Sequence, residues 1–195
     1  MSSTLIKSRT ALQKAISGES EAIAKYTAYA NKAMQEGFPN IAYLFKALVQ
    51  AEEFHNRNHR NALKLVSEDE FYPPIPEIHV GSTLENVLDA IHGEHHEAKK
   101  MYPDFIREIR SELKEEDARV TRLSFSWAEQ VELGHEKALK IALDALEKGN
   151  ALDVETIYVC RVCGNLVFNE PEDFCDVCGH DKRFYLKIKR DEVLQ

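Results

Sequence analysis

The first 159 of the 195 residues contain no cysteine, and all four cysteines fall between Cys160 and Cys178. Most of the chain is therefore free of any disulfide framework. No apolar run approaches the ~20 residues that a membrane-spanning helix needs, so no membrane partner is expected. Basic residues are in deficit, 25 against 33 acidic, and the formal charge is −8. That balance argues against binding nucleic acid by neutralising phosphates. The opening segment MSSTLIKSRT has no apolar core of the kind a signal peptide carries, which gives the expectation of a cytoplasmic protein. Clustered cysteines without an export signal point to metal before disulfide. What is present, 44% hydrophobic and 30% charged residues, suits a globular chain with a real core.

Residues 4 to about 148 read as helix almost throughout. Leu5, Leu12, Ile16, Ile23, Tyr26 and Ala30 recur at helical steps until Gly37-Phe38-Pro39 interrupts them. A second helix is expected from about Asn40 to Val66, followed by the stiff connection SEDEFYPPIPEIHVG, too long for a tight turn and suited to a crossover along a bundle. Ser82 or Thr83 can cap a third helix, with Glu85 in its first turn, and Pro103 should kink or end it. A fourth helix runs from the acidic Glu115-Glu116-Asp117 to Lys148-Gly149. Four long helices with one long central connection describe a ferritin-like four-helix bundle over residues 1–150. Residues 151–195 change character and read as a small β-rich module.

Glu52 and His55 form a Glu-x-x-His pair in the second helix, and Glu132 and His135 another in the fourth. Spacing of three leaves both side chains on one helical face. Glu19 in GESEAIAKY and Glu94 and Glu97 in GEHHEAKKMY supply carboxylates from the other two helices. Either pair alone is weak, since charged surface faces produce it by chance. Two pairs on alternate helices with glutamates between them match a di-iron or di-manganese carboxylate site. Glu53 and Glu129 lack the partner histidine and are read as surface charges or supports. The chain also repeats itself: Ile16–Glu19 aligns with Ile91–Glu94 at an offset of 75, and Ala51–His55 with Val131–His135 at an offset of 80. Glu97 falls where the first repeat has Ala22, so one metal position gains a carboxylate its twin lacks and is expected to exchange ligands with redox state.

Cys160-Arg-Val-Cys163-Gly and Cys175-Asp-Val-Cys178-Gly are two knuckles whose four thiolates suit a closed tetrahedral site. Spacing alone does not separate iron from zinc there; zinc would make a structural or adaptor module, iron an electron carrier.

Together these motifs resemble the rubrerythrin family, a di-iron bundle followed by a rubredoxin-like iron module, over nearly the whole chain. The resemblance implies iron at the four cysteines and a non-haem peroxidase that reduces hydrogen peroxide to water in protection against oxidative stress. It implies di-iron ligands Glu19, Glu52, His55, Glu94, Glu97, Glu132 and His135, and places Tyr26 and Tyr102 near the metals, as packed core residues or as hydrogen-bond donors to ligand carboxylates. Glu97, released from a metal, is then a proton source. An upstream donor, a rubredoxin or a flavoprotein reductase, is required. By its length the short linker is expected to keep each module from its own bundle, and the family's head-to-tail homodimer, in which one subunit serves the other, is the implied arrangement. The competing activities are iron oxidation or dioxygen reduction at the same bundle site. None of His59, His79, His92, His95, His96 or His180 is expected to be a ligand, and Gly134 is an unexplained glycine inside a helix.

Overall fold

The computed structural model describes residues 5–68 and 70–190. Helix α1 (Ile6–Gln35) and α2 (Pro39–Val66) form an antiparallel pair around the Gly37 turn, where a φ of +82° suits glycine. The proline-rich connection carries the chain to α3 (Thr83–His96), which begins in a full capping box between Ser82 and Glu85. A π-helical turn (Glu97–Met101) then leads directly into α4 (Tyr102–Glu108). Pro103 thus neither ends the helix nor sharply breaks it. Proline lacks an N–H and its ring crowds the carbonyl four residues back, and the wider π turn accommodates both. After a short 3₁₀ turn (Ile109–Glu112), α5 (Glu116–Glu147) completes the bundle. No helix among the described residues is long and apolar enough to cross a membrane.

Two apolar clusters fill the bundle, one on each side of its buried acids. Tyr26, Tyr29, Leu44, Phe45 and Leu48 belong to the first; Leu12, Ile16, Tyr102, Phe105 and Phe125 belong to the second. The C-terminal module is a three-stranded antiparallel sheet in the order β2 (Leu166–Phe168), β1 (Ile157–Cys160), β3 (Tyr185–Lys187). Ile157, Val159, Leu166 and Ile188 extend the first bundle cluster, so the module shares the core of its own chain. The Tyr43 hydroxyl donates to the Ile188 carbonyl at 2.7 Å and accepts from the Ile157 amide at 3.0 Å. Asn40 ties down the linker by donating to the Leu152 carbonyl at 2.6 Å. Linker length had suggested that the module stays away from its own bundle. The structure places the two in contact, because the linker folds back along the start of α2.

Candidate metal centres

Two overlapping groups of buried side chains occupy the middle of the bundle. One is Glu19, Glu52, His55 and Glu132; the other is Glu52, Glu94, Glu132 and His135. Within each group the donor atoms lie within 4.8 Å of one another. Glu52 and Glu132 belong to both. The pseudo-twofold read from the repeated motifs is therefore realised in space: each half contributes one lone glutamate, one shared glutamate and one histidine.

Burying four carboxylates and two imidazoles in an apolar core is costly unless something compensates them. Hydrogen bonds do so only in part. The Tyr26 hydroxyl donates to Glu94 Oε1 at 2.6 Å, and the Tyr102 hydroxyl donates to Glu19 Oε1. Glu19 Oε2, Glu94 Oε2, both oxygens of Glu52 and of Glu132, and Nδ1 of both histidines are buried without a hydrogen-bond partner. Hard oxygens with imidazole nitrogens are the donor set that iron and manganese accept, so the residues fit a metal pair.

Electrostatics distinguish the two halves. Burial, followed by the charge of Glu52, raises the Glu94 carboxyl to about 8 in the metal-free chain. Burial also opposes ionisation of Glu19, but the neighbouring imidazoles of His55 and His59 outweigh it and hold that carboxyl well below the usual range. Burial works against the charged forms of His55 and His135 too, yet the surrounding carboxylates keep both raised. A metal pair would replace those protons.

Glu97 stands apart from both groups. It opens the π turn and is only partly buried. It lines a cavity of about 160 Å³ between α1 and α3, together with Gly18, Ala22, Tyr26 and Gly93. A Cβ added at Gly18 would lie 3.7 Å from Glu97 Oε1, so the carboxylate faces α1 and is not gathered with the other six. Glu53 is exposed and bonded to Gln50, and Glu129 is partly exposed. His95 projects outward to Glu136 at 3.3 Å.

His59 was undervalued by the sequence. It is fully buried, with Nδ1 2.7 Å from Ser124 Oγ and Nε2 3.0 Å from the Tyr102 hydroxyl and 3.3 Å from Glu19 Oε1. Its position one turn after His55 was the available signal.

The four cysteines form a second centre. Cys160, Cys163, Cys175 and Cys178 place their sulfurs within 4.8 Å of one another, and all four are free thiols. Hydrogen bonds from Cys160 and then Cys163 pull the Cys175 thiol far down, while those to Cys160 and Cys175 push Cys163 up. Such sharing of protons among crowded sulfurs is what a thiophilic ion relieves. Each knuckle closes on a left-handed glycine, Gly164 at φ +86° and Gly179 at φ +71°. The first knuckle sits on the bundle site itself. His55 Nε2 lies 2.9 Å from the Cys163 carbonyl, and His135 Nε2 lies 3.3 Å from the Gly164 carbonyl. Gly134 lies under this contact, where an added Cβ would meet Asn165 Oδ1 at 3.7 Å, an ordinary distance.

The family model described as rubrerythrin matches residues 10–143. Rubrerythrin-2 of Clostridium acetobutylicum is 34% identical over 174 residues, covering 88% of this chain and 91% of that protein. Nigerythrin of Nitratidesulfovibrio vulgaris is 31% identical over 174 residues, covering 88% and 81% respectively. A structure of nigerythrin in its fully reduced, all-ferrous state superposes with a TM-score of 0.83 at 27% identity, covering 92% of this chain and 86% of the other. With a carboxylate–histidine cluster that fits two irons and a four-cysteine cluster that fits one, the chain belongs to the rubrerythrin family.

Proposed function

We propose that this protein is a non-haem di-iron peroxidase that reduces hydrogen peroxide to water, with electrons delivered through the four-cysteine iron, and that it protects against oxidative stress. Glu19, Glu52, His55 and Glu132 would hold one bundle iron, and Glu52, Glu94, Glu132 and His135 the other. Glu52 and Glu132 belong to both sets and would be shared between the two ions. Cys160, Cys163, Cys175 and Cys178 would hold the third iron. When bound, the ferrous pair supplies the two electrons that reduction of a peroxide bond requires.

The remaining work falls to the chain. Tyr26 and Tyr102 each occupy one oxygen of a lone glutamate and leave the other, Oε2, without a partner. That fixes which oxygen is offered to metal. Reduction of peroxide to two waters consumes two protons. Glu97 is suited to supply one: burial, then the charges of Glu19, Glu132, Glu94 and Glu52, raises its carboxyl well above the usual range. The shift favours its protonated form, beside a cavity of about 160 Å³ that is large enough for a small oxidant.

The observation that supports electron delivery most is the contact between centres. The carbonyl of a cysteine in one cluster meets the imidazole of a histidine in the other, at 2.9 Å. Stopped-flow oxidation of the fully reduced protein, followed at both centres, tests the proposal. Hydrogen peroxide should oxidise the bundle first and the four-cysteine iron afterwards, and faster than dioxygen at equal concentration. Faster reaction with dioxygen would assign an oxygen-reducing or iron-oxidising activity instead.

A further inference from the structure

The first knuckle is held by the bundle at four successive carbonyls. Arg57 donates to the carbonyl of Arg161 at 2.5 Å and Asn58 to that of Val162 at 2.7 Å. The next two carbonyls, of Cys163 and Gly164, face His55 and His135. A carbonyl only accepts, so both histidines carry their proton on Nε2. That leaves Nδ1 of each, buried and without a hydrogen-bond partner, as the nitrogen offered to metal. The two rings lie stacked beneath the knuckle, 5.7 Å apart at 24°.

This seating depends on one missing atom. A Cβ at Gly164 would lie 2.6 Å from His55 Nε2, 2.9 Å from His55 Cδ2 and 3.1 Å from the Ala51 carbonyl oxygen. His55 is buried and the third atom belongs to the backbone of α2, so an added Cβ must displace the ring, the knuckle or both. Gly179 ends the second knuckle in the same left-handed conformation, yet a Cβ there would meet nothing within 4 Å. The two glycines share a backbone requirement, and only Gly164 has a docking requirement.

We propose that the first cysteine knuckle is a positioning element of the bundle's metal site: its Cys163 and Gly164 carbonyls set the tautomer and orientation of both histidines, and the bare Cα of Gly164 lets it seat. This gives the module a role beyond carrying electrons, because the bundle should bind iron more weakly when the knuckle is displaced, even with no electrons flowing. The inference rests on the ligand assignment proposed above, but not on which oxidant is reduced.

The test compares Gly164→Ala with Gly179→Ala in the full iron-loaded chain. Bundle iron affinity is measured by competition with a chelator, and the spectroscopic signature of the half-reduced bundle is recorded beside the visible absorbance of the four-cysteine iron. Gly164→Ala should weaken bundle affinity on the order of 10- to 100-fold and alter the bundle signature, the scale seen when support of a metal-bound histidine is lost. Gly179→Ala should leave both unchanged. Equal behaviour of the two variants would overturn the proposal. If Gly164→Ala also loses the four-cysteine absorbance, the pair Arg57→Ala and Asn58→Ala decides, since it loosens the knuckle without touching the module's own backbone: reduced bundle affinity supports the proposal and unchanged affinity overturns it. His55→Ala is the separate control, for if it retains full bundle affinity the ligand assignment has failed rather than the docking inference.

Discussion

Glu19 and Glu94 occupy equivalent places in the repeat yet differ in acidity, and beside His55 one further residue near Glu19 has no counterpart near Glu94. His59 bonds to Glu19, while the position 80 residues on is Leu139. One half of the site therefore has a buried imidazole where the other has an apolar side chain. With its carboxyl raised to about 8 by burial and by Glu52, Glu94 is mostly protonated in the metal-free protein at pH 7. Metal must displace that proton, so loading at pH 7 should release protons and bundle affinity should rise from pH 6 toward 8. Calorimetric titrations in buffers of different ionisation enthalpy measure this directly; no proton release and a flat affinity over that range would refute it. The glutamate–histidine pairs were legible in the sequence because covalent spacing alone puts residues three apart on one helical face. His59 has the same one-face relation to His55, but its role depends on Tyr102 and Ser124, which approach from two other helices. Spacing carries no record of such neighbours.

The π turn shows how an element can preserve symmetry that its sequence has broken. Glu19 precedes Tyr26 by seven residues, whereas Glu94 precedes Tyr102 by eight. In an unbroken α-helix the extra residue would rotate Tyr102 by about 100° away from its carboxylate. The Tyr102 amide instead bonds to the Glu97 carbonyl five residues back, and both tyrosines reach their glutamates across the bundle. Deleting Lys100 together with Pro103→Ala should therefore be tolerated, with bundle iron retained and Tm within a few degrees of the parent. Deleting Lys25, its counterpart in α1, has no spare residue to absorb and should cost the bundle iron. Iron content and thermal unfolding of the two variants check this, and equal damage from both would refute it. The four helices, the crossover and the Ser82 cap were all legible, because periodicity and capping are local. The π turn was not, since Pro103 announces a disturbance without saying whether the helix ends, kinks or widens. For the same reason the resemblance counted Glu97 among the ligands, while the turn leaves it beside Gly18.

At the scale of the molecule, the deciding feature is where the linker sends the module. Two metal sites of different ligand chemistry were readable from composition, one acid-rich and free of cysteine, the other built on cysteine. Their relation was not, because the number of linker residues bounds how far the module can travel but not its direction. Direction is set by Asn40 on the Leu152 carbonyl, by Tyr43 on the first strand of the module and on Ile188 just after its last strand, and by Arg190, which donates to the Asn40 side chain at 2.7 Å. These contacts join the two metal centres within one chain, so contact between them does not need the head-to-tail exchange implied by the resemblance. Mixing two defective chains separates the arrangements. Cys160→Ala keeps the bundle ligands and spoils the module, and Glu52→Ala does the reverse. With delivery inside each chain, peroxide consumption by a mixture refolded or co-expressed together should equal the sum of the two variants measured alone. Activity well above that sum would show that one chain's module serves the bundle of another, and the intrachain route would then be wrong.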